Sequence, residues 1–403
     1  MSHNRSNSFH PVTRVVRQGV EDDSHHGAVI PPIHLSSTFS FEGYQSKRRY
    51  DYTRSGNPTR DLLAEAINDL EGGAGAVITN TGMSAINLVL QHLSPGDRVI
   101  ASHDCYGGTY RLLDHLRKRG SIHVDFVDFN RPGALGDLKN QNVQLCWLET
   151  PSNPLLRITD VRRVADHLPD KALLVVDNTF LTPVGQQAFA LGADIVVHST
   201  TKYINGHSDV VGGAVVAKTP ELAERLAWLA NCFGLTGAPF DSYLTLRGLR
   251  TLPIRFAQHQ KNAQEVASFL ADHSAVKKVY YPGLPSHEGH SVAKKQQDGF
   301  GAMISFSLAA DAEDIPIFLS QLKLFSLAES LGGVESLIAH PASMTHAAMD
   351  PDARLRAGIG DTLLRLSIGI EDAGDLISDL RAGLTAIESR PRLKTRVARE
   401  ACL

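Results

Sequence analysis

The 403-residue sequence lacks any long apolar run, and this absence limits where the protein can reside. A membrane-spanning helix needs roughly 18 to 20 consecutive apolar residues, so we expect neither a membrane span nor a membrane partner. The N-terminal stretch MSHNRSNSFHPVTRVVRQGVEDD is polar throughout, and we expect no secretory signal. The sequence therefore predicts a cytoplasmic protein.

Cysteine is scarce, with four residues in the chain and no CxxC spacing. The four are Cys105, Cys146, Cys232 and Cys402. Such a pattern is typical of reduced thiols in the cytoplasm and not of a disulfide framework or a zinc site. The adjacent His25 and His26 point apart on an extended segment and have no evident further ligand, so no metal site is predicted.

The chain also lacks a strong excess of charge of either sign. Its net charge is −3, which argues against a nucleic-acid-binding protein that depends on overall basicity. Neither a Walker A nor a GxGxxG pattern follows a predicted strand, which disfavours a nucleotide-binding protein. The C-terminal stretch RPRLKTRVAREACL is basic and is interpreted as a solvated tail, with a lipid- or nucleic-acid-binding patch as the alternative.

Apolar residues make up 42% of the chain, and many of them form short runs rich in Val, Ile and Leu. Seven such runs alternate with helix-like segments: 75–80, 98–102, 124–128, 144–150, 172–178, 194–199 and 210–218. Continuous apolar strands that alternate with helices are typical of a parallel sheet covered on both faces. We therefore predict an α/β fold with a mostly parallel seven-stranded sheet.

The sequence pattern divides the chain into three parts. Residues 1–57 are predicted to form an irregular arm that contacts a neighbouring subunit, residues 58–250 a large domain, and residues 251–403 a smaller C-terminal α/β domain. A long helical connection is predicted over 244–273. The smaller domain is expected to contain three strands and a helix, at 277–283, 301–308, 363–371 and 372–389.

Small and polar residues follow several of the predicted strands. In open parallel sheets ligands bind at the carboxyl ends of the strands, so these residues are candidates for chemistry. The turn NTGMS at 80–84 suits a phosphate at a helix N-terminus, although a plain N-cap at Thr81 or Ser84 explains the turn equally well. Tyr106 and Asp177 follow two other strands.

Lys202 lies in the stretch HSTTKYINGHSDVVGG, among hydroxyl groups and without a nearby carboxylate. A lysine that forms a Schiff base with an aldehyde needs a lowered pKa and no ion-pair partner. A carboxylate at Asp177, an aromatic ring at Tyr106 and the hydroxyls beside Lys202 suit an aldehyde cofactor with a phosphate and a pyridine nitrogen. The alternatives are an exposed lysine at a strand end, a helix N-cap at Asp177 and a core tyrosine.

These motifs resemble those of the pyridoxal-phosphate (PLP) enzymes of cysteine and methionine metabolism, the trans-sulfuration family. The resemblance extends from GAVIPPIHLSSTF to LLRLSIGIEDAGDLISDL, and HSTTKYINGHSDVVGG is its most specific part. It implies the PLP-dependent transferase fold type I, with pyridoxal 5′-phosphate bound by the large domain. It also implies a homo-oligomer, a tetramer built as a dimer of dimers, with shared active sites and no nucleic-acid partner.

The resemblance also implies which residues bind the cofactor. It makes Lys202, Asp177 and Tyr106 catalytic: the lysine forms the Schiff base, the carboxylate pairs with the pyridine nitrogen, and the aromatic ring stacks on the cofactor. Further cofactor contacts are implied at Gly82, Met83, Thr179, Ser199 and Thr201. Tyr52 and Arg54 in YDYTRSGNPT are implied to reach the phosphate of the neighbouring subunit. A contact of Arg54 within its own subunit is the alternative.

Substrate contacts follow from the same resemblance. Arg365 in LLRLSIGIE is implied to bind the substrate α-carboxylate, because a guanidinium group matches a carboxylate bidentately. A structural ion pair is the alternative for this arginine. Further substrate contacts are implied at Asn153, Ser330, Arg111, Glu329 and Asp51. The last three belong to the outer cleft, where members of the family differ.

Residues that bind the cofactor do not by themselves define the reaction. The outer residues and the surrounding sequence imply γ-replacement, in which the thiol of L-cysteine replaces the succinate of O-succinyl-L-homoserine to give L-cystathionine, in methionine biosynthesis. The alternatives are cleavage of cystathionine by a γ-lyase and sulfhydrylation of an O-acylhomoserine. Whether the ester is succinyl, acetyl or phosphoryl is left open. A non-catalytic module is disfavoured because Lys202, Asp177 and Arg365 are all present.

Overall fold

The computed structural model describes residues 9–345, 347, 354–355 and 357–389. Its larger sheet has seven strands, in the order β1-β7-β6-β5-β4-β2-β3. They are β1 Gly75–Thr79, β2 Arg98–Ser102, β3 His123–Val127, β4 Leu145–Glu149, β5 Leu173–Asp177, β6 Ile195–His198 and β7 Gly213–Ala217. Strands β6, β5, β4, β2 and β3 run parallel, and β7 is antiparallel to β6 and β1. The predicted mostly parallel seven-stranded sheet is confirmed.

Strand β4 illustrates why these segments form central strands. Its sequence LCWLE is buried along its whole length. Because successive side chains of a strand point to opposite faces, Leu145 and Trp147 join one core cluster, while Cys146 and Leu148 join the other. A strand that is apolar on both faces is stable only when helices cover both sides of the sheet.

The helices of this part of the chain are α1 Pro11–Val16, α2 Pro58–Glu71, α3 Gly82–Leu90, α4 Gly107–Lys118, α5 Val161–His167, α6 Thr182–Gly185, α7 Pro220–Phe233 and α8 Pro239–Leu249. Helix α2 shows how local sequence sets the ends. It begins where Asn57 Oδ1 accepts hydrogen bonds from the backbone N–H groups of Thr59 (3.0 Å) and Arg60 (3.2 Å). It ends at Gly72, whose φ of 73° suits a residue without a side chain.

A smaller sheet of five strands follows helix α9 Leu252–Asp272, in the order β10-β11-β12-β9-β8. Its strands are β8 Val276–Tyr280, β9 Met303–Leu308, β10 Ser326–Leu327, β11 Leu337–Ala339 and β12 Leu363–Ser367. Its helices are α10 His290–Gln296, α11 Ile315–Ser320 and α12 Ala373–Glu388. All strand pairs are antiparallel except β10 with β11. The sequence predicts β8, β9, β12 and α12, but β10 and β11 are too short to show a pattern.

The long helical connection predicted over 244–273 consists of two helices in the structure. Helix α8 ends at Leu249, and helix α9 begins at Leu252 with Pro253 in its first turn. Proline has no N–H group and is tolerated in a first turn, where that group would have no partner inside the helix. The proline therefore marks the start of the second helix.

The N-terminal arm, residues 9–57 in the structure, contains little regular structure. It has the short helix α1 and two isolated bridges, Thr38 with Tyr52 and Gly43 with Ser46. Several of its apolar side chains are exposed, including Ile30 and Leu35. The basic tail 390–403 and its Cys402 lie outside the described residues. No helix in the described part of the chain is long and apolar enough to span a membrane.

We expect Phe256→Ala to lower the free energy of unfolding by about 3–5 kcal/mol, because it leaves a cavity in the core. Phe256 is fully buried on α9 and packs edge-on against Tyr203, with ring centroids 5.5 Å apart. Lys261→Ala, at an exposed position on the same helix, should change this free energy by less than about 0.5 kcal/mol. Denaturant unfolding of both variants measures the difference, and equal effects would contradict this assignment of the core.

Candidate active site

Three acidic or basic side chains gather at one edge of the larger sheet. Glu149 ends β4, Asp177 ends β5, and Lys202 follows the last residue of β6 by four positions. These strands are parallel neighbours, so their carboxyl ends meet at the same edge. The candidate site lies at this edge, as the sequence predicts.

Asp177 is buried and held by Thr179. One oxygen of its carboxylate accepts hydrogen bonds from the Thr179 N–H (3.1 Å) and from its hydroxyl (2.6 Å). The same hydroxyl accepts a hydrogen bond from the N–H of Ser199 (2.9 Å). Burial raises the pKa of Asp177, while the two bonds from Thr179 and the charge of His198 act in the opposite direction. The carboxylate is thus fixed in place and partly desolvated.

Lys202 is a lysine with a lowered pKa. Its Nζ donates a hydrogen bond to the Ser330 hydroxyl at 2.7 Å. Burial, together with the nearby charge of Arg365 and opposed by Glu329, lowers the pKa of Lys202 to about 8. A substantial fraction of such an amine is neutral near pH 8, and the neutral form is the nucleophile and the base.

Ser330 connects this lysine to Arg365. The Arg365 guanidinium donates one hydrogen bond to the backbone oxygen of Ser330 (2.9 Å) and another to Oδ1 of Asn153 (3.0 Å). Ser330 has a φ of 81°, which is uncommon for a residue other than glycine. Predicted substrate residues from β12 and from two loops therefore converge beside the lysine.

Arg365 is buried, yet no carboxylate pairs with it among the described residues. Its Nε is buried without a hydrogen-bond partner. Burial lowers the pKa of Arg365 to about 10, so the guanidinium stays charged at neutral pH. A buried cation with only neutral acceptors and one unsatisfied N–H group is suited to bind a carboxylate from a ligand.

The turn before α3 is shaped for a small anion. Thr81 caps the helix by accepting from the Ser84 N–H at 2.9 Å, so the plain N-cap is present. The described contacts include no acceptor for the backbone N–H groups of Gly82 and Met83. A Cβ added at Gly82 would lie 2.9 Å from Cβ of Ser199, so only glycine leaves this close approach possible. Two free N–H groups at a helix N-terminus suit a phosphate.

Tyr106 lies directly before α4 and has 44% of its surface exposed. A Cβ at Gly108 would come within 2.5 Å of the tyrosine ring and 2.6 Å of the Met83 sulfur. The ring thus occupies space that a side chain at position 108 would fill. The Tyr106 N–H donates to Oε2 of Glu149 at 2.5 Å.

Three of the residues predicted to bind the cofactor form hydrogen bonds with other residues of the chain. The Thr201 hydroxyl donates to the Gly212 carbonyl (3.2 Å) and accepts from the Gly212 N–H (3.0 Å). Arg54 donates a hydrogen bond to the backbone oxygen of Asn231 at 2.6 Å, and this bond lies within its own chain. Tyr52 is half-exposed, and its N–H donates to Asp51.

Two of the predicted outer-cleft residues carry no ion pair among the described side chains. Arg111 is exposed on α4, with its guanidinium 3.5 Å from a Cβ added at Gly107. Glu329 is exposed as well, one residue before Ser330, and its charge acts on both Lys202 and Arg365. Both groups are therefore accessible to a ligand.

The sequence predicts no catalytic role for three further buried polar residues at this edge. Glu149 is an acid at the end of a strand, the same signal that identifies Asp177, and this signal was available in the sequence. His198 and Glu71 form a fully buried hydrogen-bonded pair behind Asp177. They lie 127 positions apart, so only the fold reveals their contact.

We expect Lys202 to react with an acylating reagent in cofactor-free protein with a midpoint near pH 8, since only the neutral amine reacts. A lysine amine in a model peptide has a pKa of about 10.4 and serves as the reference. Glu329→Gln should lower the Lys202 midpoint, because the charge of Glu329 raises this pKa. Competitive labelling followed by mass spectrometry measures both midpoints. An unshifted midpoint for Lys202 would refute the proposed effect of burial.

Comparison with known proteins agrees with this geometry. The family model described as Cys/Met metabolism PLP-dependent enzyme matches residues 12–385. A cystathionine γ-synthase of Escherichia coli is 56% identical over 377 residues, which is 93% of this chain and 97% of that protein. A cystathionine β-lyase of Coxiella burnetii is 46% identical over 95% of this chain and 100% of that protein.

A solved structure extends the similarity to three dimensions. The cystathionine γ-synthase from Xanthomonas oryzae pv. oryzae, in complex with aminoacrylate and cysteine, has a TM-score of 0.92 and 59% identity. The match covers 94% of this chain and 99% of that chain. The two-sheet architecture is that of PLP-dependent fold type I. The chain belongs to the Cys/Met metabolism PLP-dependent enzyme family.

Proposed function

We propose that this protein is a PLP-dependent enzyme with cystathionine γ-synthase activity. It replaces the succinate of O-succinyl-L-homoserine with the thiol of L-cysteine and produces L-cystathionine and succinate. The observation that carries the proposal is the contact of Lys202, Ser330 and Arg365, which joins a nucleophilic amine to a buried guanidinium prepared for a substrate carboxylate.

The residues present fit pyridoxal 5′-phosphate. The free N–H groups of Gly82 and Met83 and the adjacent Ser199 hydroxyl are suited to its phosphate. The Thr201 hydroxyl, which is hydrogen-bonded to Gly212, is proposed as a further contact. Asp177 is suited to its pyridine nitrogen, and Lys202 to its aldehyde. When bound, the cofactor supplies an electron-withdrawing ring that acidifies the bond between the substrate Cα and its hydrogen.

Asp177 would hold the pyridine nitrogen of bound PLP and favour its protonated form. Its carboxylate is fixed by two hydrogen bonds from Thr179, so its orientation is set before the cofactor binds. These bonds also favour the ionised form against the effect of burial. The Tyr106 ring lies in the space that Gly108 leaves open and would stack on the cofactor ring.

Lys202 moves the protons of the reaction. Its Nζ would accept the proton from the substrate Cα and return protons at later steps. A lysine with a pKa of about 8 is suited to both tasks near neutral pH. The Ser330 hydroxyl orients the amine.

Arg365 holds the substrate α-carboxylate, and its contacts with Asn153 and Ser330 fix the plane of the guanidinium. We propose that Arg111, Glu329 and Asp51 bind the more distant parts of the substrates. Cationic and acidic groups together suit an anionic ester and a zwitterionic cysteine.

The comparisons favour γ-synthase over lyase activity. The E. coli and X. oryzae cystathionine γ-synthases are 56% and 59% identical to this chain, and the C. burnetii β-lyase is 46% identical. The X. oryzae protein was crystallised with cysteine, the nucleophile of the proposed reaction. The γ-lyase and sulfhydrylase alternatives share the same cofactor residues and are separated by assay.

We also propose a tetramer, assembled as a dimer of dimers, with active sites shared between subunits. The half-exposed Tyr52 and the neighbouring Arg54 lie on an arm with little core of its own. Exposed apolar side chains on the same arm support its burial against a second subunit. In this assembly Tyr52 and Arg54 reach the phosphate of the neighbouring site.

Two further proposals concern organisation and location. We retain the division into an arm (1–57), a large PLP-binding domain (58–250) and a small domain (251–403), supported by the separate five-stranded sheet after α9. We propose a cytoplasmic location, supported by the unpaired thiols of Cys105, Cys146 and Cys232.

We expect purified enzyme to have a higher kcat/KM for O-succinyl-L-homoserine with L-cysteine than for cleavage of L-cystathionine. A γ-synthase stabilises the transition state for replacement of succinate by the thiol more than the transition state for cleavage. Chromatographic measurement of cystathionine, succinate and α-keto acid distinguishes the two reactions. Replacing cysteine with sulfide tests the sulfhydrylase alternative. Dominant cystathionine cleavage would refute the γ-synthase proposal.

We expect shared sites to show complementation between inactive variants. Lys202→Ala and Arg54→Ala should each have little activity, and a mixed oligomer should regain roughly a quarter of wild-type activity, since half of the pairs are mixed and one of their two sites is intact. Steady-state rates after co-refolding measure this recovery. Rates that stay at the level of the two variants alone would show that each site is built from one chain.

A further inference from the structure

Glu149 is the buried acid of the site that no step of the proposed reaction uses. Its side chain is 6% exposed at the end of β4. It is the register partner of Asp177 on the adjacent parallel strand. Such partners point to the same face, roughly 5 Å apart. Two carboxyl groups therefore lie side by side in a desolvated position.

Glu149 is hydrogen-bonded to the backbone of Tyr106. Its Oε2 accepts the Tyr106 N–H at 2.5 Å. The described contacts contain no hydrogen bond from the Tyr106 hydroxyl that would orient its ring. The direction of the ring therefore depends on the backbone at this position, and Glu149 holds that backbone where α4 begins.

The groups that face Glu149 do not compensate a negative charge. They are Asp177 from β5 and the loop residues Asp104, Cys105 and Tyr106 after β2. No cation pairs with Glu149 among the described residues. Two adjacent buried carboxylates repel each other strongly, so one of them retains a proton.

The hydrogen bonds indicate which carboxyl group stays ionised. Asp177 accepts two hydrogen bonds from Thr179, whereas Glu149 accepts one from Tyr106. More donors favour the charged form. Burial and the adjacent Asp177 raise the pKa of Glu149 well above its usual value, which agrees with the geometry.

We propose that Glu149 is a positioning residue that stays protonated, fixes the Tyr106 ring through its backbone N–H group, and leaves Asp177 as the ionised member of the pair. This inference rests on the proposed roles of Tyr106 and Asp177 toward the cofactor. A neutral Glu149 preserves the negative charge that Asp177 needs, without a competing anion beside it.

The experiment compares Glu149→Gln with Glu149→Leu in the holoenzyme. Glutamine is neutral and keeps an acceptor oxygen, so it should rescue the visible circular dichroism of bound PLP. Leucine has no acceptor, so it should weaken this dichroism and raise the dissociation constant of PLP by roughly tenfold, the effect of one lost hydrogen bond. Glu149→Asp, which is one methylene shorter, should lie between them and replaces the leucine variant if that variant does not fold.

Asp379→Asn is the matched control, because Asp379 is also a buried carboxylate and accepts hydrogen bonds from three backbone N–H groups far from the site. It should leave the PLP dichroism unchanged. If Glu149→Leu and Glu149→Asp keep the wild-type dichroism, the positioning role is refuted. If Glu149→Gln loses the dichroism as fully as leucine, the protonated state is refuted.

Infrared difference spectroscopy of wild type against Glu149→Gln tests the proton directly. The carbonyl band of a protonated carboxylic acid should be present in wild type and absent in the variant. Loss of a carboxylate band instead would overturn the proposal. This measurement does not depend on the position of the cofactor. Absence of any PLP dichroism in wild type would count against the proposed stacking of Tyr106 and not against the protonated Glu149.

Discussion

The site depends on two neighbouring basic groups that form no ion pair with any described side chain, although the charge of Glu329 acts on both. Lys202 comes from the edge of the larger sheet, and Arg365 from a strand of the smaller one. Their repulsion adds to the effect of desolvation and favours a neutral lysine amine. Because no described carboxylate pairs with the Arg365 guanidinium, this group can bind the carboxylate of a ligand. One electrostatic arrangement thus prepares both the base and the substrate contact.

This arrangement requires the loop that carries Ser330 to approach the segment that carries Lys202 closely. A Cβ at Gly332 would lie 2.7 Å from the backbone nitrogen of Tyr203, directly after the lysine. Glycine therefore lets the loop that carries Ser330 rest on the backbone of the lysine segment. The site is formed at this contact, so folding of each sheet alone would not create it.

Local patterns predicted much of the molecule. Apolar runs identified all seven strands of the larger sheet, and polar residues at their ends identified Asp177 and Lys202. These signals lie within a few residues of each other in sequence. In contrast, the contact between Lys202 and Ser330 spans 128 positions, and the pair of Glu71 and His198 spans 127. Such contacts depend on how elements pack, which no local pattern contains.

Two further features could not be obtained from residue types alone. The neighbouring carboxyl groups of Glu149 and Asp177 are 28 positions apart and become adjacent only through the register of β4 and β5. Strands β10 and β11 are too short to differ from a loop in sequence. The break between α8 and α9 is different, because a proline such as Pro253 is a local sequence signal for a helix start.

At position 330 the requirements of stability and activity conflict. The positive φ of Ser330 strains the backbone, while its hydroxyl group contacts Lys202. Glycine adopts this backbone conformation with less strain, so a search for thermostable variants would favour Ser330→Gly. That change would remove the hydroxyl that accepts the hydrogen bond from Lys202 Nζ. The strain at position 330 is therefore the energetic cost of anchoring the reactive amine, and engineering for heat resistance should leave this residue untouched.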